Sequence, residues 1–489
     1  MAMRVSSGSA ALRSYIAGEW RAGSHEVSDI NPANPSEVVA RVTQADAQTA
    51  VEAVEAAKEA YPLWRQTPAP ARGDVLRRAA DLLEERSDSI AREFTREEGK
   101  TLPEARGETR RAVAILRYYA AQTLEPDGET FPSHSPITLL YARREPLGVV
   151  LVITPWNFPI AIPAWKIAPA LAYGNTVVWK PADLTPLTSV RFTEALIDAG
   201  LPAGVLNLVL GRGSVVGDAL VQHRHVSAIT FTGSNSVGHG VHLKALGTGA
   251  KVQLEMGGKN PAVVLADADL DLAAEHIARG AFLSAGQKCT ATSRVIVEAA
   301  VYDEVATRLA QLAASWKLGD PLDPNTRVGP VVSESAMLSI LDRFRSSETS
   351  GGRFLAGGQR ASNLGNGYFV RPTVIADLPA DSLVLREEIF GPVAALQRAE
   401  SYEEAVSLAN DTPFGLSASL FTRDLRNALR FANDIEAGVV KINQESAGLE
   451  FQVPFGGYKA SSSGSREQGK VARDFFTQWK TVYIDQPPS

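Results

Sequence analysis

The chain has 489 residues, of which 45% are hydrophobic, and a formal net charge of -6. This length predicts about three domains, and interspersed charges without a basic run exclude nucleic acid or an anionic membrane as the main partner. A single cysteine permits no intrachain disulfide and no run of about eighteen apolar residues is present, so we expect a cytoplasmic protein without membrane spans.

The first 125 residues predict short strands followed by a helical block. The opening segment 1–14 is small and polar and lacks the apolar core of a secretory signal, so no such signal is expected. Strand-like runs cover 15–42, and apolar residues at helical spacing cover 45–64, 71–86, 87–98 and 102–124. A segment at 126–136 rich in Pro, Gly and Ser, followed by a strand at 138–144, predicts a protruding hairpin of the kind that builds oligomer contacts.

From Gly148 onward the chain alternates continuous apolar strands with helices. The strands are expected at 149–153, 176–179, 205–209 and 228–231, and the helices near 160–173, 186–199, 214–223 and 236–247. Such an alternation predicts a parallel sheet covered on both faces, the architecture that binds nucleotides. Strands near 262–265, 294–297, 373–375 and 439–442 predict a second α/β domain, and 475–485 predicts a tail strand that pairs outside its own domain.

We therefore expect an α/β fold with two doubly wound parallel-sheet domains, one of them Rossmann-like, and a protruding β element for oligomerisation. The expected boundaries are 1–125 with 147–257 for the cofactor-binding domain, 258–458 for the catalytic domain, and 126–146 with 470–489 for the hairpin and tail strand.

Two reactive side chains stand next to glycines between residues 255 and 290. Cys289 follows Gly286, Gln287 and Lys288, and the neighbouring cation is expected to lower the thiol pKa toward the reactive thiolate. Glu255 lies between an apolar strand and two glycines, where a raised pKa would make it a usable general base. The seven histidines show no metal-ligand spacing, so no metal site is expected.

Two glycine turns compete as the phosphate site. The turn that begins at Gly211 continues through Gly213 and Gly217, but its third glycine comes one residue late for the dinucleotide fingerprint. The turn at 231–238 offers serine hydroxyls and backbone amides at the start of a helix. Lys180 and Asp183, at the carboxyl end of a strand, are candidates for contact with a ribose.

Seven motifs, taken in order, resemble those of the NAD(P)-dependent aldehyde dehydrogenase superfamily. They are PWNFP at 155–159, KPA at 180–182, FTGS at 231–234, LEMGGK at 254–259, GQKC at 286–289, EEIFGP at 387–392 and PFGG at 454–457. The resemblance extends over essentially the whole chain, from Gly18 to Thr481.

The resemblance implies a role for each matched residue. Cys289 is the nucleophile, Asn157 stabilises the oxyanion, Glu255 is the general base and Glu467 assists that base from farther back. Lys180 and Ser234 bind the ribose and the pyrophosphate, and Glu388 with Phe390 holds the nicotinamide end. The remaining residues expected in the cofactor site are Ile153, Pro155, Trp156, Asp183, Gly213, Gly217, Phe231, Thr232, Gly233, Ser236 and Gly257.

The cofactor and substrate expectations also follow from the resemblance. A carboxylate at Asp183 would repel a 2'-phosphate, so NAD is expected to be preferred and NADP tolerated. The motifs are most similar to those of the semialdehyde branch, in particular dehydrogenases of 2-oxoglutarate semialdehyde, although the sequence identifies no residue for the distal carboxylate. A homodimer or homotetramer is expected.

Three alternatives remain open at the level of sequence. Trp156, Phe158, Trp165 and Phe451 would equally suit an apolar pocket for an aromatic or aliphatic aldehyde. A thiol esterase or hydrolase built from Cys289 and a histidine such as His276 would turn over without a nicotinamide cofactor. An inactive structural relative would keep the fold, but the presence of Cys289, Glu255 and Asn157 argues against it.

Overall fold

The structure is a computed structural model that describes residues 11–485. The interpretation of segment 1–14 therefore lies in part, at 1–10, outside the described residues, as do the last four residues of the tail. The expected α/β class is confirmed by two large, mostly parallel sheets with helices packed on them. Within residues 11–485, no helix has both the length and the hydropathy needed to cross a membrane.

The amino-terminal region consists of short strands and then helices, as predicted. Its elements are β1 Ser14–Ile16, β2 Glu19–Arg21, β3 His25–Asn31, β4 Asn34–Gln44, α1 Ala47–Gln66, α2 Ala69–Glu85, α3 Ser87–Glu98 and α4 Leu102–Gln122. Gly99 ends α3 with φ of +94°, a conformation that favours glycine. The carboxylate of Glu104 then accepts a hydrogen bond from the backbone N–H of Thr101, which fixes the start of α4.

The hairpin and the first parallel sheet follow. Their elements are β5 Gly128–Phe131, β6 Thr138–Pro146, β7 Val149–Ile153, α5 Ala161–Ala172, β8 Thr176–Lys180, α6 Pro186–Asp198, β9 Leu206–Leu208, α7 Gly213–Val221, β10 Val226–Thr232, α8 Asn235–Ala245 and β11 Lys251–Glu255. The parallel strands lie in the order β9-β8-β7-β10-β11, and β1 and β2 extend the β9 side. The direction of the chain through the sheet thus reverses at β7, and the crevice at the carboxyl ends of β7 and β10 is where ligands bind in such sheets.

The second sheet is built from the elements that follow β11. They are β12 Asn260–Val264, α9 Leu270–Phe282, β13 Thr292–Glu298, α10 Tyr302–Ser315, α11 Glu334–Thr349, β14 Arg353–Ala356, β15 Thr373–Ala376, α12 Leu383–Arg386, β16 Val393–Ala399, α13 Tyr402–Asn410, β17 Phe414–Gly415, β18 Ser417–Phe421, α14 Leu425–Asp434 and β19 Val439–Ile442. The strand order is β14-β15-β16-β13-β12-β18-β19, parallel except for β14. The short loop 256–259 joins this sheet to the first one.

The carboxyl-terminal elements return to the first part of the chain. They are β20 Tyr458–Lys459, β21 Ser462–Ser463, α15 Ala472–Phe476 and β22 Thr477–Asp485. Strand β21 pairs with β11, and β22 pairs with β6 from Thr477 opposite Pro146 to Asp485 opposite Thr138. The hairpin and the tail, predicted separately from sequence, thus form one three-stranded sheet within the same chain. The domain boundaries given above stay a prediction.

The first sheet is buried on both faces. Alternate residues of β7 point to opposite sides, so Val150 and Val152 pack into a different apolar cluster from Val149 and Leu151. Each such side chain, when fully buried, contributes about 1.5–3 kcal/mol. This double burial explains why the strand appears in the sequence as a continuous apolar run, and it holds the carboxyl end of β7 rigidly beside the site.

Candidate active site

The nucleophile candidate follows a tight left-handed turn. Ser284, Ala285 and Gly286 have φ values of 56°, 51° and 70°. A Cβ at Gly286 would lie 2.0 Å from the carbonyl oxygen of Gly391, so only glycine fits there. The turn predicted from sequence is therefore present, and it presents Cys289 at the edge of a cavity.

The thiol of Cys289 differs from the sequence prediction. Burial raises its pKa to about 12, and the carboxylates of Glu388 and Glu255 act in the same direction. The expectation that Lys288 would lower this pKa is wrong, because the ammonium of Lys288 donates to the carbonyl oxygen of Arg279 at 3.1 Å. In the protein alone the thiol is therefore neutral at neutral pH.

The amide of Asn157 faces the turn that carries the thiol. Its Nδ2 donates to the carbonyl oxygen of Gln287 at 3.0 Å, which leaves a second N–H on the same nitrogen. The carbonyl oxygen of Asn157 in turn accepts from the buried ammonium of Lys100 at 2.6 Å. Asn157 is thus held on both sides, with one N–H available beside Cys289.

A cavity of about 230 Å³ brings many of the predicted residues together. It is lined by Pro155, Trp156, Asn157, Ile162, Thr232, Gly233, Ser234, Met256, Gly257, Cys289, Glu388 and Phe390. Met256, interpreted as a packing residue, also lies in this wall. The other predicted residues do not line the cavity. These are Ile153, Lys180, Asp183, Gly213, Gly217, Phe231, Ser236, Glu255 and Glu467.

Glu255 ends β11 and is almost fully buried. One carboxylate oxygen accepts a hydrogen bond from the hydroxyl of Ser462 at 2.5 Å, and the other has no partner in the described structure. Burial raises the pKa of Glu255 well above its ordinary value, and the nearby charge of Glu467 raises it further. The predicted raised pKa is confirmed, and the unpartnered oxygen is available to accept a proton.

Glu467 lies behind Glu255 in a buried ionic cluster. It forms an ion pair with Lys166, and both side chains are at most 2% exposed. The indole N–H of Trp165 donates to the second oxygen of Glu467 at 2.9 Å. Its partners hold Glu467 in place, so its charge acts on Glu255 from a fixed position.

Glu388 and Phe390 line the same cavity as Cys289. The backbone N–H of Gly258 donates to Glu388 at 3.1 Å, and a Cβ at Gly257 would lie 2.2 Å from the other oxygen of this carboxylate. Burial raises the pKa of Glu388 to about 7. Phe390 has φ of 56°, and its ring meets Trp156 edge-on with centroids 5.4 Å apart.

The ribose candidates lie at the carboxyl end of β8. Nζ of Lys180 is 3.0 Å from a carboxylate oxygen of Asp183. A Cβ at Gly213 would lie 3.8 Å from the same ammonium, so α7 begins directly beside Lys180. A cation and a carboxylate at this edge suit the hydroxyl groups of a ribose.

The two glycine turns differ in how closely their helices pack. A Cβ at Gly217 would meet nothing within 4 Å, whereas one at Gly238 would lie 2.6 Å from Sδ of Met256. Close helix–strand packing is the role of the third glycine in a dinucleotide site, so the turn at 231–238 fits better. Ser234 precedes α8, and its hydroxyl lies 3.3 Å from that of Ser236.

The histidines include one group that sequence spacing did not reveal. Glu55 lies 3.4 Å from Nε2 of His223 and 3.2 Å from Nδ1 of His225. Nδ1 of His223 already accepts from the backbone N–H of His225 at 3.3 Å, which puts the ring proton on Nε2, facing the carboxylate. This favours a His–Glu contact over a metal-ligand set, and the absence of a metal stays a prediction. His276 lies against Phe421, with ring centroids 6.3 Å apart.

Asn260 is a positioning residue that the sequence analysis missed. Its Nδ2 donates to the carbonyl oxygens of Cys289 and Ala291 at 2.8 and 2.9 Å. Its Oδ1 accepts from the backbone N–H of Ser417 at 3.0 Å. The side chain thus ties the cysteine loop to β12 and β18, and its position directly after the LEMGGK motif was the only indication in the sequence.

Comparison with known proteins gave consistent findings. A model described as the aldehyde dehydrogenase family matches residues 20–482. The chain is 49% identical over 474 residues to an alpha-ketoglutaric semialdehyde dehydrogenase of Bacillus subtilis (strain 168), covering 96% of this chain and 97% of that protein. It is 45% identical over 476 residues to an alpha-ketoglutarate semialdehyde dehydrogenase of Haloferax volcanii, covering 96% and 98%. A crystal structure of betaine aldehyde dehydrogenase from Staphylococcus aureus in complex with NAD+ superposes with a TM-score of 0.95 at 35% identity, covering 98% of this chain and 95% of that one.

Proposed function

The chain belongs to the aldehyde dehydrogenase family, and from this premise we propose that it oxidises an acidic semialdehyde, 2-oxoglutarate semialdehyde, to the dicarboxylate. It is an NAD(P)-dependent aldehyde dehydrogenase, as the sequence motifs indicated. The observation that carries the assignment of the reaction is the meeting of Cys289 and Asn157 in one cavity, with the charge of Glu255 acting on the thiol.

The thiol and the amide account for the first half of the reaction. Sγ of Cys289 bonds to the aldehyde carbon, the thiol proton passes to a base, and the carbonyl oxygen becomes the oxyanion of a thiohemiacetal. The free N–H of Asn157 and the backbone N–H of Cys289 supply the two donors for that oxyanion. Glu388 lines the same cavity as the thiol, and its charge acts on the thiol more than that of Glu255, which supports Glu388 as the acceptor of the thiol proton.

A bound nicotinamide cofactor would supply the acceptor for the hydride that leaves the former aldehyde carbon. Cys289 then carries a thioester. Glu255 takes one proton from a water molecule, the water oxygen bonds to the acyl carbon, and the C–S bond breaks to release the carboxylic acid and the thiolate. The acid then loses its proton to solvent and becomes the carboxylate. The raised pKa of Glu255 and its unpartnered oxygen support this role, because a carboxylate of higher pKa is a stronger base and removes a proton from water more readily.

The residues present fit a dinucleotide. The hydroxyl of Thr232 is buried without a hydrogen-bond partner in the described structure, and Thr232 lines the cavity beside the start of α8. Ser234, Ser236 and the first N–H groups of α8 would hold the pyrophosphate. Lys180 and Asp183 would hold the adenosine ribose, and Glu388 with Phe390 the nicotinamide end. We expect NAD to be preferred and NADP tolerated.

The substrate proposal rests on the similar proteins, two of which are named as dehydrogenases of this semialdehyde. Its test is the absorbance of the reduced nicotinamide with four aldehydes in parallel: 2-oxoglutarate semialdehyde, succinate semialdehyde, benzaldehyde and hexanal. The proposal predicts the highest kcat/KM for 2-oxoglutarate semialdehyde. Neutral aldehydes processed better than both acids by about tenfold, or about 1.4 kcal/mol of transition-state preference, would contradict it.

We also propose that the chain assembles as a homodimer or homotetramer through the sheet β22-β6-β5 and works in the cytoplasm. Apolar side chains stand exposed on that sheet, among them Leu139, Trp479 and Tyr483. The outer edge of β22 has no partner strand in the described chain, and such an edge favours pairing with a second copy.

A further inference from the structure

Helix α4 presents one incompletely buried face next to the nucleophile. Gly107, Arg111, Ala114 and Tyr118 follow one another at helical spacing, and each is half-buried. Tyr118 meets Phe451 edge-on, with ring centroids 5.7 Å apart. This face of α4 is therefore directed toward the loop 444–453.

The same loop reaches the residue after the nucleophile. The hydroxyl of Ser446 donates to the carbonyl oxygen of Thr290 at 2.8 Å. On the other side, Glu108 of α4 accepts from the backbone N–H groups of Ile160 and Ala161 at 3.2 Å each, just beyond Asn157. Helix α4 and the loop 444–453 thus flank the reacting centre, and neither contributes to the cavity assigned to the cofactor.

Arg111 is an unused cation on this face. Its Nε and Nη2 are buried and have no hydrogen-bond partner within the described residues. The charges that act on it most are those of Glu450 and Glu108. Glu108 is already paired with Lys100 at 2.7 Å, and Glu450 is exposed to solvent. A buried guanidinium without an acceptor is costly, so this site favours a ligand that brings one.

The neighbouring lysines are engaged elsewhere. Lys441 donates to the carbonyl oxygens of Ala447, at 2.6 Å, and Gly448, which shapes the loop. Lys288 donates to the carbonyl oxygen of Arg279. Among the described cations around the loop, Arg111 has buried donors that remain free.

We propose that Arg111 binds the distal carboxylate of the substrate while Cys289 attacks the aldehyde at its other end. A planar guanidinium offers two parallel N–H donors that match a carboxylate, and it stays charged at every physiological pH. The proposal rests on the proposed function, since it names the group that recognises an acidic semialdehyde. It supplies the residue that sequence reasoning could not identify.

The test compares Arg111→Met with Arg110→Met as a matched control, because Arg110 is the adjacent arginine of α4 and is exposed. Values of kcat/KM are measured for 2-oxoglutarate semialdehyde and for pentanal, which has the same chain length and no carboxylate. Arg111→Met should lower kcat/KM for the acid by about tenfold to hundredfold, mainly by raising KM. It should leave kcat/KM for pentanal within about threefold of the wild-type value. Arg111→Lys should keep part of the preference, and Arg110→Met should change neither value.

A second readout separates this inference from the substrate proposal. Glutarate, a dicarboxylate that cannot be oxidised here, should compete with pentanal in the wild type and in Arg110→Met. In Arg111→Met its inhibition constant should rise by about tenfold or more. If the wild type prefers the acid but Arg111→Met lowers both aldehydes equally, or lowers neither, Arg111 is not the carboxylate site. If the wild type prefers pentanal, the proposed substrate is wrong, and unchanged competition by glutarate in Arg111→Met then rejects Arg111 as well.

Discussion

At the scale of single residues, the nucleophile shows how much depends on the direction of a side chain. The sequence puts Lys288 beside Cys289, but in the structure the ammonium points to Arg279, and two carboxylates face the thiol. Burial and negative charge both stabilise the neutral thiol. Reactivity therefore requires a base to remove the proton, not a thiolate that exists beforehand.

This difference can be measured because Cys289 is the only cysteine. Since its pKa is raised to about 12, the rate of alkylation of the protein alone by iodoacetamide should keep rising with pH through pH of about 9 without a plateau. Incorporation of the label is followed by mass spectrometry. The chain unfolded in urea serves as the control, and its rate of alkylation should be half-maximal near the ordinary cysteine pKa of about 8.5 and then level off. A plateau near neutral pH in the folded protein would show that the thiol is activated without a base.

Asp183 is the residue on which cofactor preference depends. Its carboxylate lies next to Lys180 at the proposed ribose site, where it would repel a 2'-phosphate. Asp183→Asn should therefore raise kcat/KM for NADP relative to NAD by about tenfold, in assays that compare both cofactors with one aldehyde. A wild type that already prefers NADP, or a variant with an unchanged ratio, would refute this role.

At the scale of elements, α4 links the ionic core to the site. Its Glu108 pairs with Lys100, both side chains are 2% exposed, and the same carboxylate binds the start of α5. Lys100 in turn holds the carbonyl oxygen of Asn157. A change at this helix is therefore transmitted to the amide beside the nucleophile.

The corresponding prediction concerns stability. Glu108→Ala leaves Lys100 buried without its counter-charge and the N–H groups at the start of α5 without an acceptor, so it should destabilise the fold by about 3–5 kcal/mol. The effect is read as a lower midpoint in urea and a lower Tm. Glu84→Ala, which removes an exposed ion pair with Arg117, is the control and should leave the midpoint nearly unchanged. Equal midpoints for the two variants would show that the buried pair does not stabilise α4.

The elements also show which features the sequence predicts. The strands and helices around β7 were located to within a few residues, because continuous apolar runs and glycine turns are local patterns. Cys289 and Glu255 were named from their glycine-flanked positions, and Asn157 was named from the family resemblance of its motif. Arg111 and the partner of β22 could not be predicted, since both depend on contacts between segments hundreds of residues apart. One arginine in a helical repeat gives no indication of whether its donors are satisfied.

At the scale of the whole molecule, the tail strand and the hairpin form a sheet with an apolar surface. Trp479 and Tyr483, on one face of β22, are 49% and 70% exposed, and Ile484 of β22 with its partner Leu139 of β6, on the other face, are 49% and 53% exposed. Exposed apolar patches of this kind mark surfaces where proteins associate. The sequence predicted oligomer contacts from the hairpin and a tail strand that pairs outside its own domain, and in the structure β22 pairs with β6 of the hairpin.

If this sheet holds the subunits together, substitutions on it should lower the mass of the assembly. Trp479→Ser combined with Tyr483→Asp should shift the protein toward the monomer of 52.3 kDa in light scattering, because both changes remove apolar area and the second adds a charge. Leu425→Ser combined with Leu429→Ser is the control, since those side chains are 71% and 61% exposed on α14, which is not part of this sheet. A wild type that is already monomeric would contradict the proposed assembly.

The roles of Cys289 and Glu255 are tested most directly by the pre-steady-state absorbance of reduced nicotinamide when Glu255→Gln is mixed with 2-oxoglutarate semialdehyde. Acylation of Cys289 precedes the step that needs the base for water, so this variant should give a burst of up to one reduced cofactor per active site and then almost no turnover. Cys289→Ala should give neither burst nor turnover. Full steady-state turnover by Glu255→Gln, or any burst from Cys289→Ala, would contradict the assignment of thiol and base.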